Sequence, residues 1–154
     1  NDPDKVALGQ CGCGVADTDD DSDGTANCND GCPADADKVA PGVCGCGEAD
    51  IDTDNDGVVD NADNCIKAAN GPLIPDAGGN SQLDADDDGY GNICDPDFDN
   101  NSTVDTSDLA YLKSKFFTSD PDADLDGNGN VDFADLAILK PMFFGPPGPS
   151  GLVP

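Results

Sequence analysis

The chain has 154 residues, room for one ordinary domain or two small ones. It carries 32 aspartates, one glutamate (Glu48), six lysines and no arginine or histidine, for a formal charge of −27, while Leu, Ile, Val and Phe together number only 29. On composition alone such a chain is too poor in apolar surface to offset its conformational entropy and is expected to be disordered. The charge repels nucleic acid and anionic membrane surfaces. The lack of histidine excludes imidazole catalysis and histidine-ligated zinc, and no apolar run approaches the ~20 residues a bilayer needs.

In chain order, the first feature is a repeat. Residues 2–32 align without gaps on 35–65, and 18 of 31 pairs are identical, including Cys11-Gly-Cys13-Gly on Cys44-Gly-Cys46-Gly. Within this region the aspartates follow a fixed register: positions 1, 3, 5, 9 and 12 of a twelve-residue loop, with glycine at 6. Loop one is Asp19, Asp21, Asp23, Gly24, Asn27, Asp30, and loop two is Asp52, Asp54, Asp56, Gly57, Asp60, Asp63. The stretch from Lys67 to Gln82 breaks the pattern and reads as an inserted loop. Loop three follows as Asp84, Asp86, Asp88, Gly89, Asn92, Asp95.

All eight cysteines lie between Cys11 and Cys94, where large apolar residues are sparse: residues 1–97 hold 13 of the 29, whereas 98–145 hold 14 in half the length. We therefore expect a cysteine-stapled region over 1–96, a more apolar module over 97–145 and a Gly/Pro-rich extended tail over 146–154. The second module also repeats, with 97–117 matching 124–144 at 12 of 21 positions. It holds loop four, Asp97, Asp99, Asn101, Ser102, Asp105, Asp108, and loop five, Asp124, Asp126, Asn128, Gly129, Asp132, Asp135. Each is followed by a helical phrase, Asp108 to Lys113 and Asp135 to Lys140, with Leu109, Leu112, Phe116 and Leu136, Leu139, Phe143 on one face as the core between two helices. Pro141 is expected to end or kink the second helix near Lys140.

The register is that of a calcium-chelating loop. Calcium is a hard cation that takes six to eight oxygens, and alternate residues of a tight loop turn short carboxylates inward. Position 7 adds a backbone carbonyl, here from Thr25, Val58, Tyr90, Thr103 and Asn130. Glycine at position 6 supplies a positive φ; Ser102 must adopt it at a cost of ~1 kcal/mol. Aspartate at every position 12 is one methylene shorter than the usual bidentate glutamate, which weakens discrimination against magnesium. A micromolar site in millimolar calcium contributes ~4 kcal/mol, so five independent sites contribute ~20 kcal/mol, more than ordinary domain stability. About five or more Ca2+ ions thus replace the missing core, and order becomes conditional on calcium.

Asp52-x-Asp54-x-Asp56-Gly57-x-x-Asp60-x-x-Asp63-Asn64-Cys65 resembles a thrombospondin type 3 repeat, as do loops one and three. Asp30-Gly-Cys-Pro33 and Ala40-Pro-Gly-Val-Cys-Gly-Cys-Gly47 are similar to the bacterial form. The resemblance covers about residues 1–96. It implies aspartates coiled around a series of calcium ions with little regular secondary structure, disulfides that staple successive repeats, and additional ions held with help from Asp17 and Asp50. Residues 97–144 resemble a type I dockerin, which implies two antiparallel loop-helix segments, a small all-α module. In dockerins that bind cohesins, the residues just before position 12 carry recognition; here these are Thr106 and Ser107, and Phe133 and Ala134, the second pair apolar and unlike the recognition type.

Repeat logic pairs Cys28 and Cys32 with Cys44 and Cys46 in some order, and Cys65 with Cys94. Partners for Cys11 and Cys13 then fall one period upstream of residue 1: either the chain is a piece of a longer array, or these cysteines bond each other or a neighbouring molecule. Eight cysteines point to an oxidising compartment. Every close carboxylate pair already has a chelating role, so we expect no enzyme. The expected function is a calcium-rigidified structural segment of a secreted or cell-surface bacterial protein, in adhesion, spacing or as the subunit of an extracellular fibre made of its own copies. The alternative is a dockerin bound to a cohesin-bearing scaffold.

Overall fold

The computed structural model describes residues 7–153. Among them the backbone is mostly irregular, with no strand, two single 3-10 turns (Asp60–Ala62 and Asn92–Cys94) and two α-helices, α1 (Thr106–Lys115) and α2 (Phe133–Met142). The chain divides into two compact units, Asn1–Asp50 and Ile51–Pro154.

Among its described residues the first unit has almost no apolar interior: the buried apolar residues are Ala26 and Cys32. Disulfides Cys11–Cys28 and Cys32–Cys46 staple it. The pairing of Cys28 with Cys11 corrects the repeat-based expectation, which sent Cys28 to Cys44 or Cys46. The cause is local. Gln10 lies across loop one, its Nε2 donating to the Gly24 carbonyl (3.0 Å) and its Oε1 accepting from the Ala26 amide (2.9 Å), while Asn29 Nδ2 donates to the Gln10 carbonyl (2.9 Å). These bonds seat Cys11 beside Cys28. No upstream residue is needed to complete Cys11.

In the second unit the helices begin where the sequence supplies reciprocal caps. Asp105 accepts from the Ser107 amide (2.7 Å) and its own amide donates to Asp108 Oδ2 (2.7 Å). Asp132 and Asp135 repeat the arrangement at α2 with the same distances. Such a box satisfies amides that the first turn leaves open. The helices pack through Leu112 and Leu139, fully buried with Val104, Ala123, Leu125 and Val131; Leu109, Phe116, Leu136 and Phe143 pack at the margin.

A two-fold relation governs the backbone too. Phe117 donates to the Val131 carbonyl and Val131 to the Thr118 carbonyl; Phe144 donates to the Val104 carbonyl and Val104 to the Gly145 carbonyl. These pairings place the helix ends at equivalent positions, Lys115 and Met142. α2 accordingly runs through Pro141 rather than stopping near Lys140. A proline in the last turn forfeits one hydrogen bond, and the helix continues two residues past Lys140.

The expected boundaries near 96 and 145 both fall inside the second unit. Pro96, the single residue between loops three and four, is fully buried, and Asn92 Nδ2 donates to the Pro121 carbonyl (2.6 Å). The tail lies along the 63–94 segment: Gly148 donates to the Cys94 carbonyl, Gly151 to the Asp63 carbonyl, Ile66 to the Pro149 carbonyl, and Ser150 Oγ to the Gly89 carbonyl. Residues 63–94 are closed by the Cys65–Cys94 disulfide.

Candidate metal centres

Each of the five loops gathers three carboxylates. One oxygen from each lies within 4.8 Å of the others in the sets Asp19/Asp21/Asp23, Asp52/Asp54/Asp56, Asp84/Asp86/Asp88, Asp97/Asp99/Asp108 and Asp124/Asp126/Asp135. Like charges at this spacing repel strongly unless a cation sits among them.

The backbone that enforces this is the same five times. The position 1 carboxylate accepts the position 6 amide: Gly24 to Asp19 (3.1 Å), Gly57 to Asp52 (3.1 Å), Gly89 to Asp84 (3.0 Å), Ser102 to Asp97 (2.6 Å) and Gly129 to Asp124 (2.6 Å). Position 6 has positive φ throughout, between 90° and 97° at the glycines and 69° at Ser102. Position 7 amides donate to position 5 side chains: Thr25 to Asp23, Val58 to Asp56, Tyr90 to Asp88 and Asn130 to Asn128.

Position 4 lies outside the ligand register. It too is left-handed in every loop: Ser22 (68°), Asn55 (63°), Asp87 (61°), Asn100 (53°) and Gly127 (69°). Four of the five are Asn, Asp or Gly, and that is the signal, since these types tolerate this region best.

Position 12 comes in two designs. In loops one to three Asp30, Asp63 and Asp95 are buried, each accepting the amide two residues on, from Cys32 (2.8 Å), Cys65 (2.8 Å) and Asp97 (3.2 Å). In loops four and five Asp108 and Asp135 are fully buried and cap the following helix. With Asn101 and Asn128 at position 5, they supply the third carboxylate there.

The position 9 carboxylates Asp60, Asp105 and Asp132 are not among the clustered triads. Asn27 Oδ1 accepts the Asp20 amide, Asp60 binds Thr53 through amide and hydroxyl, and Asn92 Oδ1 accepts the Ala85 amide. Asp105 and Asp132 serve as N-caps. In the first three loops the position 9 side chain therefore clasps position 2. Asp17 and Asp50, which the family resemblance assigned to additional ions, brace cysteine turns. Asp17 accepts the Cys11 amide (2.7 Å); Asp50 accepts the Val43 and Cys44 amides and pairs with Lys38 (3.1 Å). The Cys44 amide and Lys38 hold the Asp50 carboxyl down at about 2.

Two features test whether a cation fits. Among the described residues five buried side-chain oxygens lack a hydrogen-bond donor: Asp23 Oδ2, Asp30 Oδ2, Asp52 Oδ1, Asp54 Oδ2 and Asp108 Oδ1, all at ligand positions. A buried unpaired carboxylate oxygen is costly. Burial, then the neighbouring Asp56 and Asp63, pushes Asp54 up to about 6; burial, then Asp88, pushes Asp95 up to about 8. Burial also raises Asp63, Asp88, Asp108, Asp124 and Asp135. Oxygen-only donors crowded at this spacing suit a hard dication. The possible partner-binding residues Thr106, Ser107, Phe133 and Ala134 are all exposed on the first turns of α1 and α2.

No helix is long and apolar enough to cross a membrane among the described residues. No family model, curated protein or solved structure matches the chain.

Proposed function

We propose that this chain is a non-enzymatic, calcium-binding structural segment of a secreted or cell-surface protein, of the thrombospondin type 3 kind over its first part and dockerin-like over 97–145. About five Ca2+ ions and the disulfides do the work of a hydrophobic core, and the ordered chain acts as a spacer, adhesive segment or fibre subunit. The observation that carries the reading is the set of five buried carboxylate oxygens without donors, all at ligand positions of loops in one register. The three disulfides support an oxidising compartment.

Calorimetric titration of the EDTA-stripped chain tests it. About five calcium ions bind per chain, with a gain in protease resistance. A chain that binds none at millimolar calcium, or is equally resistant in EDTA, defeats the reading. Negative-stain microscopy with and without calcium separates a fibre from a spacer. Docking onto a cohesin-bearing scaffold is the second reading; it draws on the exposure of Thr106, Ser107 and Phe133 at the helix starts, and cohesin titration decides it.

A further inference from the structure

Between loops two and three the sequence inserts a stretch with no chelating pattern, yet this stretch touches two metal loops far apart in sequence. At one end it grips loop two. The Asn70 amide donates to Asp56 Oδ2 (2.8 Å) and the Leu73 amide to the Asp56 carbonyl (2.7 Å). Gly71 passes so close that a Cβ there would collide with the Asp56 carboxylate. Gln82 Nε2 donates to Asp63 Oδ1 (2.9 Å), and Gln82 Oε1 accepts the Asn64 amide (2.7 Å). Positions 5 and 12 of loop two, both fully or almost fully buried, are thus held from the insertion.

At its tip the same segment grips loop five. The Ala77 amide donates to the Asp126 carbonyl (2.8 Å), and Asn80 Nδ2 reaches the Gly127 carbonyl (3.4 Å). These are positions 3 and 4, where the left-handed turn at Gly127 aims the chain around the site. The segment is braced internally. Gln82 donates to the Asn70 carbonyl through its amide (2.7 Å) and to Asn70 Oδ1 through Nε2 (2.8 Å). The buried Asp76 holds the Asn80 amide (2.7 Å) and side chain.

We propose that segment 70–82 couples the loop-two and loop-five cation sites, so that filling one raises the affinity of the other; this rests on the calcium reading above. A cation in loop two draws Asp52, Asp54 and Asp56 together against their repulsion and fixes Asp56 and Asp63, the two points where the strut is anchored. A fixed strut holds the Asp126 and Gly127 carbonyls in the conformation that loop five needs. Linkage makes the effect reciprocal, with couplings of this kind typically fivefold or more. Asn70, Asn80 and Gln82 act here as positioning residues.

Calcium titration of the full chain, followed by NMR at the amides of Gly57, Gly129 and Gly89, reads loops two, five and three separately. Weakening loop five with Asp124→Asn shifts the Gly57 midpoint upward about fivefold or more, and Asp52→Asn shifts Gly129 by the same factor, while Gly89 moves less than twofold. Ala77→Pro, which removes the amide donor at the strut tip, cuts the cross-shift below twofold; Asn80→Ala, which keeps the backbone, does so if the proline variant fails to fold. The coupling is overturned if Gly57 and Gly129 titrate independently, if Gly89 shifts as far as they do, or if the cross-shift survives both variants; calcium binding itself then stands. If neither glycine responds to millimolar calcium, the calcium reading falls and the coupling with it.

Discussion

Residues 7–50 bury two apolar side chains, Ala26 and Cys32; residues 98–143 bury six around a pair of capped helices. Both contain the same aspartate loop. In the first region the loop is closed by disulfides and by Gln10 laid across it. In the second, Asp108 and Asp135 each do double duty, as third carboxylate of a cluster and as helix cap, so that the candidate metal site and the helix start share a residue. The contrast teaches that one chelating register can be built with or without a core. What stabilises the loop differs; its local geometry does not.

The largest expected effect that separates the regions is chelation. In EDTA, residues 7–50 lose hydrogen-exchange and protease protection completely, whereas α1 and α2 keep measurable protection, because six buried side chains remain to hold them. Equal loss in both would mean that the helical core is as dependent on metal as the rest.

Core and staple substitutions sharpen the same comparison. Leu112→Ala leaves a cavity beside Leu139 and lowers the stability of the second unit by about 2–5 kcal/mol even with calcium bound. Replacing Cys32 and Cys46 together by serine costs the first unit about 2–4 kcal/mol, by releasing the unfolded chain from a cross-link. Denaturant unfolding with a probe in each unit measures both; a reversed pattern breaks the assignment of core to one region and staple to the other.

pH acts next, in opposite senses with and without the ion. Carboxyls raised in the folded, metal-free state hold protons that the unfolded chain releases, so metal-free stability is greatest below about 4 and declines as pH rises through about 6 at Asp54 and about 8 at Asp95. Moving from pH 8 to pH 5 in EDTA therefore raises the melting temperature of the second unit. In millimolar calcium the same change lowers it, since protons compete with the ion for those carboxylates. Parallel melting curves across that range in both conditions would contradict the crowding of unneutralised charge.

The smallest effect belongs to one backbone position. Ser102→Gly relieves the positive φ of 69° in loop four by about 1 kcal/mol, strengthening calcium binding there about fivefold while leaving loop five unchanged. Titration followed at residues 102 and 129 reads it; no change at 102 would show that loop four bears no strain.

Much of the site was legible because a chelating loop is a local object. The spacing of Asp19, Asp21 and Asp23, or of Asp124 and Asp126, requires only that a few consecutive residues turn, and the position 6 glycine announces the turn. Position 4 was equally local and was missed, though Ser22, Asn55, Asp87, Asn100 and Gly127 carry the mark of left-handed backbone. The helix caps were hidden for another reason: Asp105 and Asp132 fit a ligand register and a capping box at once, and only the folded backbone chose the cap.

The sequence by itself determined the five loops, their metal-seeking carboxylates, the two helices and the uneven division of apolar residues. Tertiary structure decided the rest: the bond from Cys28 to Cys11, the clasp of position 9 on position 2 in the first three loops, the path of the tail over 63–94, and the reach of the insertion from loop two to loop five. The path of the tail and the contact of the insertion with loop five depend on backbone amides meeting carbonyls from segments distant in sequence. Such donors and acceptors are the same in every residue but proline, so they leave no pattern in the side chains that could announce where they pair.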